Sequence, residues 1–223
     1  MATRTQLNTP PLRKITDFKS KLTGGGARPN LFEVVLAFPD SAPADSNVLD
    51  KARFLVKAAA LPASNITPID IPFRGRSLKV AGERTFDVWT ITVINDEDFK
   101  LRTAFEQWMN GMSKLSDGSG ATNPNSYMGN ATVNQLGRGY NQGRFATRNS
   151  GDGDGSGGQT GIAPLRTYYF DGIFPTNVGE IALDYGSTDT IEEYTVEFQV
   201  QYWIAGTEST NGNSSDQNGS VIA

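Results

Sequence analysis

The string Asp152-Gly153-Asp154-Gly155-Ser156-Gly157 sets oxygen-bearing side chains at alternate positions with glycine at the sixth, the pattern that opens a calcium loop. The twelfth position of such a loop is Ala163, where a bidentate glutamate is needed, and no helix signal flanks it. An acidic loop tip accounts for the string, and no metal ligand set is assigned. Gly153 to Gly158 also fits G-x-G-x-x-G, but with no strand before it and no helix after it a dinucleotide site is not supported. Glu192, Glu193 and Glu197 invite an acid and base reading on a sugar. Four apart on one strand, Glu193 and Glu197 stand about 13 Å from each other, farther than paired glycosidase carboxylates. A polar strand face explains them more simply. Arg138, Tyr140, Arg144, Phe145 and Arg148 interleave cations and aromatics with glycine, as in segments that stack on single-stranded nucleic acid. A solvated loop is the plainer reading, with contact to a partner protein as its functional form and nucleic acid as a minor alternative. Trp89, Trp108 and Trp203 would suit a carbohydrate platform, but core is the default for buried aromatics.

The 223 residues include no cysteine and no histidine. That removes disulfides, thiolate nucleophiles, Cys/His zinc sites, imidazole bases and the Ser-His-Asp arrangement. No catalytic residue, metal or cofactor is assigned. A net charge of −4 and a pI near 4.9 argue against a surface for duplex DNA, whose affinity rests on Lys and Arg. Met1 to Leu12 is polar, with Pro10-Pro11, and does not read as a secretory signal. No run approaches the ~20 apolar residues of a membrane span, so no membrane partner is expected and a cytoplasmic origin fits. A chain of this length buries roughly 70% of its unfolded surface, enough for a sizeable core.

The elements that must carry these residues are mostly strands. Strand signals fall at Leu31 to Phe38, Arg53 to Ala60, Ile69 to Arg74, Arg84 to Asn95, Ala131 to Leu136, Arg166 to Phe174, Ile181 to Tyr185 and Ile191 to Ile204. In the last of these, Tyr194, Val196, Phe198, Val200 and Tyr202 point one way, while Glu193, Thr195, Glu197, Gln199 and Gln201 point the other. Before it, Phe174-Pro175-Thr176-Asn177 reads as a rigid corner, because proline fixes φ and lacks an N–H. One helix follows Asn95-Asp96 as capping residues, with Leu101, Phe105, Trp108 and Met112 as an apolar stripe, and Gly111 with Ser116-Asp117-Gly118 ends it. The expected fold is mainly β: an antiparallel β-sandwich or barrel with one packed α-helix, an extended N-terminal arm and long loops. Residues 1–26 form the arm, with Ile15 to Leu22 as two helical turns and Gly24-Gly25-Gly26 as a hinge. Residues 27–205 form a single β-barrel domain, and 206–223 a flexible polar tail. Residues 137–163, rich in Gly and Asn, form a long loop insertion at the tip of an expanded hairpin.

Ala27-Arg28-Pro29-Asn30-Leu31-Phe32-Glu33-Val34, Ala60-Leu61-Pro62-Ala63, Ala81 to Thr90, Asn95-Asp96-Glu97 and Phe174 to Leu183 together resemble the tail tube family of contractile-tailed bacteriophages, in that family's order. The resemblance spans most of residues 27–116 and 165–204. It implies a fold shared with the haemolysin-coregulated tube protein of type VI secretion. It also implies a structural virion protein with no catalysis, whose six copies pair sheets into a ring, stack head to tail and enclose a lumen for DNA ejection. Expected partners are further copies of itself, tail sheath, baseplate and tail terminator proteins, with DNA and tape measure protein passing through the lumen without specific binding. The implied location is the phage tail, assembled in the host cytoplasm. Candidate lumen-facing residues are Asp87, Glu193, Glu197, Gln199 and Gln201. Candidate contacts between rings or subunits are Arg13, Phe18, Arg28, Asp45, Asp50, Arg53 and Arg84, carried by the arm, the 39–50 loop and neighbouring strands. The 138–148 loop is the candidate partner loop, directed along the axis or outward to the sheath. Two alternatives stay open: a non-catalytic β-sandwich binding module for glycan or nucleic acid, and a tube-like baseplate or secretion component.

Overall fold

The computed structural model describes residues 14–22, 25–42, 44–137, 145–147, 160–162 and 164–206. In chain order these form α1 (Ile15–Lys21), β1 (Phe32–Ala37), α2 (Ser46–Leu55), β2 (Val56–Ala59), β3 (Ser64–Phe73), β4 (Arg76–Phe86), β5 (Trp89–Ile94) and α3 (Lys100–Met112). After them come α4 (Pro124–Tyr127), β6 (Gly129–Leu136), β7 (Phe145–Thr147), β8 (Thr160–Ile162), β9 (Pro164–Val178), β10 (Glu193–Gln199) and β11 (Tyr202–Gly206). The main sheet runs β1-β6-β9-β10-β5-β2, with β11 also on β9, and every pairing is antiparallel. It is the mainly β, antiparallel architecture that the alternating pattern implies.

Strand β9 joins the two halves of this sheet. Thr167 to Phe170 pair with both β6 and β11, whereas Phe174 to Val178 pair with β10. Between them Gly172 has φ +61°, and a Cβ there would stand 2.6 Å from Gln201 Cγ, so the bend favours a residue without a side chain. Inward residues of both halves meet in one core: Val34 and Leu36 of β1, Trp89, Ile91 and Val93 of β5, Phe170 and Ile173 of β9, Val196 and Phe198 of β10. Helix α3 closes it with Leu101, Ala104, Phe105 and Trp108. Each large side chain so buried contributes about 1.5–3 kcal/mol before ordering costs. Trp108 Nε1–H donates to the Tyr127 carbonyl at 2.6 Å, satisfying the one polar atom of the ring.

Several sequence expectations are corrected. Four helices occur among the described residues: α1 covers the helical turns expected in the arm and α3 is the one packed helix expected, while α2 and α4 were not expected. Asp45 accepts from the Val48 N–H at 2.8 Å and caps α2, so the end of the 39–50 loop, from Ser46, and the front of the Arg53–Ala60 strand become helix. Pro175 lies inside β9, opposite Phe198, where the register shifts between Glu197 and Phe198; a bulge tolerates a residue that cannot donate to the ladder. The Arg84–Asn95 strand is broken at Asp87-Val88, and no strand covers Ile181 to Tyr185. The Ile191–Ile204 strand divides at Val200-Gln201 into β10 and β11, so Tyr202 leaves the packed face shared by Tyr194, Val196, Phe198 and Val200. Helix α3 begins after Phe99, with φ +52° and no side-chain cap, because the N-cap position falls on Phe99, three residues beyond Asp96, whose carboxylate bonds Lys51 instead; Gly111 is interior to it. The 137–163 insertion contains a short antiparallel pair, β7 with β8.

Candidate assembly interface

The longest unsupported element is the ribbon of β3 and β4. Its ladder continues that of β2 and β5: the Ala60 N–H donates to Thr90 O and the Asp87 N–H to Ala63 O, at 3.3 and 3.1 Å. Alternation then sorts its side chains. Ile69 faces Val80 and Ile71 faces Leu78, with Phe73 beyond them, so five apolar residues share one side. On the other side Asp70 pairs with Lys79 at 2.9 Å. All five apolar residues are exposed, from 41% for Val80 to 66% for Phe73. Arg74 and Gly75, with φ +45° and +81°, make the two-residue turn at the tip, which matches the twist of the strands. The Arg74 guanidinium sits 5.3 Å from the Phe73 ring centre. This apolar face is the feature the strand reading missed. Its signal was present in Ile69-x-Ile71-x-Phe73 and Leu78-x-Val80 around an Arg-Gly turn.

The outward side of β9-β10-β5-β2 is polar. Glu193 accepts from Lys57 at 2.5 Å, Thr195 stands opposite Thr92, and Glu197 stands opposite Thr90 and Asn177. An open groove of about 590 Å³ runs along it, bordered by Thr92, Asn177, Glu180, Glu193 and Thr195. Glu193, Glu197 and Gln199 are thereby brought onto one strand face. Asp87 sits at the bend of the ribbon, accepting from Asn65 Nδ2 at 2.8 Å, and Gln201 lies at the break after β10. On the inner side of the same strand, Tyr194 is buried beneath Arg102, whose guanidinium is 5.0 Å from the ring centre, and burial pushes the phenol well above its ordinary range.

The other candidates are scattered. Phe18 is exposed on α1, Arg28 is exposed before β1, and Arg84 is exposed on β4. Asp50 and Arg53 lie 3.9 Å apart on α2, and Asp45 is committed to capping that helix. Arg13, Arg138, Tyr140, Arg144 and Arg148 lie outside the described residues, as does the side chain of Phe145, whose backbone opens β7. Trp89 is fully buried and Trp203 half-buried, which removes the Trp89 platform that a glycan-binding module would need.

An antiparallel β fold that carries a polar sheet face and extends an apolar ribbon into solvent has the surface character of a protein that pairs with other chains. Residues 27–206 match the family model described as phage tail tube protein. The chain is 31% identical to tail tube protein gp19 of Enterobacteria phage T4 over 181 residues, covering 81% of this chain and 93% of that one. It is 21% identical to the tail tube protein of Serratia phage KSP90, covering 83% and 93%. Among solved structures it resembles a chain of the anti-feeding prophage baseplate, with TM-score 0.54 and 13% identity over 81% of this chain and 95% of that chain. It also resembles a chain of a sheath-tube complex from an extracellular contractile injection system, with TM-score 0.51 and 12% identity over 85% and 97%. The chain belongs to the phage tail tube protein family, and so is a structural component of a contractile phage tail.

Proposed function

We propose that copies of this chain close into hexameric rings, that the rings stack head to tail as the inner tube of the tail, and that DNA passes through the lumen into the host. The observation that carries this reading is the uncovered apolar face of the β3–β4 ribbon. A two-stranded ribbon is marginal alone in water, and an exposed apolar strand pair is an aggregation template. Neighbouring copies that cover it remove both problems, and ring closure also consumes free strand edges such as β2.

In this reading the polar face bearing Glu193, Glu197 and Gln199 lines the lumen, with Asp87 and Gln201 at its margins. The nearby cation Lys57 is already paired with Glu193, so among the described residues this face offers passing phosphates no array of free Lys or Arg. Residues 1–26 act as an arm, 27–205 as the barrel domain and 206–223 as a tail. Arg13, Phe18, Arg28, Asp50, Arg53 and Arg84 supply contacts between subunits or rings, and Asp45 contributes through the helix it caps. The 138–148 loop meets a partner protein. Sheath, baseplate and terminator proteins are the partners of the tube, tape measure protein and DNA pass through it, assembly takes place in the host cytoplasm, and no reaction is catalysed. Similarity of fold to a chain of a sheath-tube complex supports the assignment of sheath as neighbour.

Electron microscopy of the purified protein at low and high concentration tests the reading. Hollow rods or stacked rings are the expected outcome. A monomer that persists at high concentration and after addition of a baseplate extract would overturn it. Similarity to a baseplate chain favours a second reading, a tube-like baseplate component, which predicts single rings that do not stack.

A further inference from the structure

We propose that the β3–β4 ribbon of one copy docks on the 179–192 loop of a second copy, its arginine tip meeting that loop's carboxylates. The proposal rests on the self-assembly reading above and names the contact through which it occurs.

Both surfaces are uncovered in the single chain, and they are complementary in two respects. Ribbon residues 64–86 carry four basic side chains, Arg74, Arg76, Lys79 and Arg84, against two acidic ones, Asp70 and Glu83. Lys79 is spent on Asp70, which leaves Arg74 and Arg76 at the tip and Arg84 near the base beside Glu83. Loop residues 179–192 carry Glu180, Asp184, Asp189 and Glu192 with no lysine or arginine. Among the described residues, none of Arg74, Arg76, Glu180, Asp184 and Asp189 has an ion-pair partner. The second match is apolar. The ribbon presents Ile69, Ile71, Phe73, Leu78 and Val80, and the loop presents Leu183 and Ile191, 80% and 71% exposed, together with a fully exposed Tyr185. Within nine residues of an irregular segment, these three side chains leave apolar area in water that a partner can cover.

The topology sets the ribbon apart from the loop of its own chain: the ribbon leaves the sheet at the Trp89 end of β5, and the loop lies at the Ile94 end. Ten residues of β3 at ~3.3 Å each carry the tip roughly 30 Å from where the ribbon leaves the barrel. The loop follows β9 directly and is tied back at its far end, where the Asn95 N–H donates to Glu192 O at 2.9 Å. A contact from ribbon to loop is heterologous: every copy that donates its ribbon still offers its loop. Such a contact propagates until it closes a ring or extends a filament, the property that a tube requires.

The test uses the full chain with charges reversed. R74E/R76E alone, or D184R/D189R alone, sets like charges together and lowers the sedimentable fraction at 0.1 M salt at least tenfold. Combining all four substitutions, or mixing the two double variants, restores it. Far-UV circular dichroism confirms that each variant is folded. Assembly of R74E/R76E at the wild-type level, or failure of the fourfold variant to recover while folded, would overturn the proposal. Wild type that never sediments would instead sink the assembly reading itself. Because the chain has no cysteine, R74C with D184C supplies an independent arm. Oxidation should give a ladder of disulfide-linked multimers, and a purely intramolecular bond, or no bond, counts against the contact.

Discussion

Trp89 of β5 stacks on Phe170 of β9, ring centres 4.5 Å apart and planes 12° from parallel. These two residues lie on strands that are not neighbours in the sheet, so their stacking ties one half of the barrel to the other across the core. Phe198 adds a tilted contact to Trp89 at 5.4 Å and an edge contact to Phe105 of α3 at 5.9 Å. Trp89→Ala should therefore cost about 3–5 kcal/mol, the range for removing a large aromatic from a core. Trp89→Phe keeps the stack and should recover more than half of that. Chemical denaturation under conditions that hold the protein monomeric measures both.

Lys51 of α2 bridges two carboxylates in the turn before α3, bonding to Asp96 at 2.5 Å and also to Asp98. The lysine hydrogen bond holds the Asp98 carboxyl well below its ordinary range, and the same bonds raise Lys51. A depressed carboxylate contributes stability above its unfolded value near 3.9, and that contribution is lost as pH falls through the folded value. A raised lysine contributes below about 10.4 and loses its share as pH climbs past the folded value. The bridge therefore acts between about pH 4 and 10. Lys51→Met should move the acid unfolding midpoint to higher pH and leave the shape of the transition near pH 7 unchanged. An acid titration of wild type and variant that superimposes would show that the bridge is energetically silent.

Gly129 opens β6 directly against α3. A Cβ on it would lie 2.4 Å from the Ala37 carbonyl and 2.8 Å from the Trp108 ring, which its bond to Tyr127 O holds in place. Neither neighbour is the free end of a flexible chain. Gly129→Ala should destabilise by about 1–3 kcal/mol through overpacking, and thermal unfolding of the monomer reads it.

The alternation in β10 and the stripe on α3 were legible because one period runs through each and one face of each is buried. Leu101, Phe105 and Trp108 are all in the core, as are Tyr194, Val196, Phe198 and Val200. The break at Gln201 was not legible, because polar-apolar alternation continues through it; the constraint comes from Gly172 on β9, distant in sequence. Pro175 misled for a related reason. Proline in isolation signals a corner, and only the bulge opposite Phe198 makes it acceptable inside a strand. Helix α2 was hidden because Arg53-Phe54-Leu55-Val56 has no strict period, whereas Asp45 three residues before Val48 was a readable cap. Among candidate site residues, alternation put Glu193, Glu197, Gln199 and Gln201 on one face and the family resemblance made it the lumen candidate; the first three share a face of β10, while Gln201 lies at the break after it. The apolar ribbon was missed because its residues look like core to any local rule and are uncovered only in three dimensions.

Those ribbon residues offer a test that separates folding from association. Ile71 and Leu78 face each other on the exposed side and touch no part of the barrel core cluster. I71K/L78E should leave monomer stability within about 0.5 kcal/mol, as for surface changes generally. The same variant should lose rods and rings in electron micrographs. If it assembles as wild type does, the apolar face is not an interface.

The polar sheet face makes a prediction about DNA. Neutralising phosphates releases counterions, and each duplex contact adds about 0.9 to the slope of log affinity against log salt. Thr195 and Glu197 lie on this face of β10, paired across to Thr92 and Thr90. T195K/E197K adds two cations per copy and removes one anion, without disturbing the Lys57 and Glu193 pair. Assembled tubes of wild type should show no DNA retention at 0.15 M salt. Tubes of the variant should retain DNA, with an affinity that falls steeply between 0.05 and 0.2 M. If this face lay on the outside of the cylinder, the same substitutions would let short duplexes bind rods whose ends are blocked. Comparing capped with open rods therefore assigns the face. Retention that vanishes on capping places β10 against the lumen, and retention that survives capping places it outside.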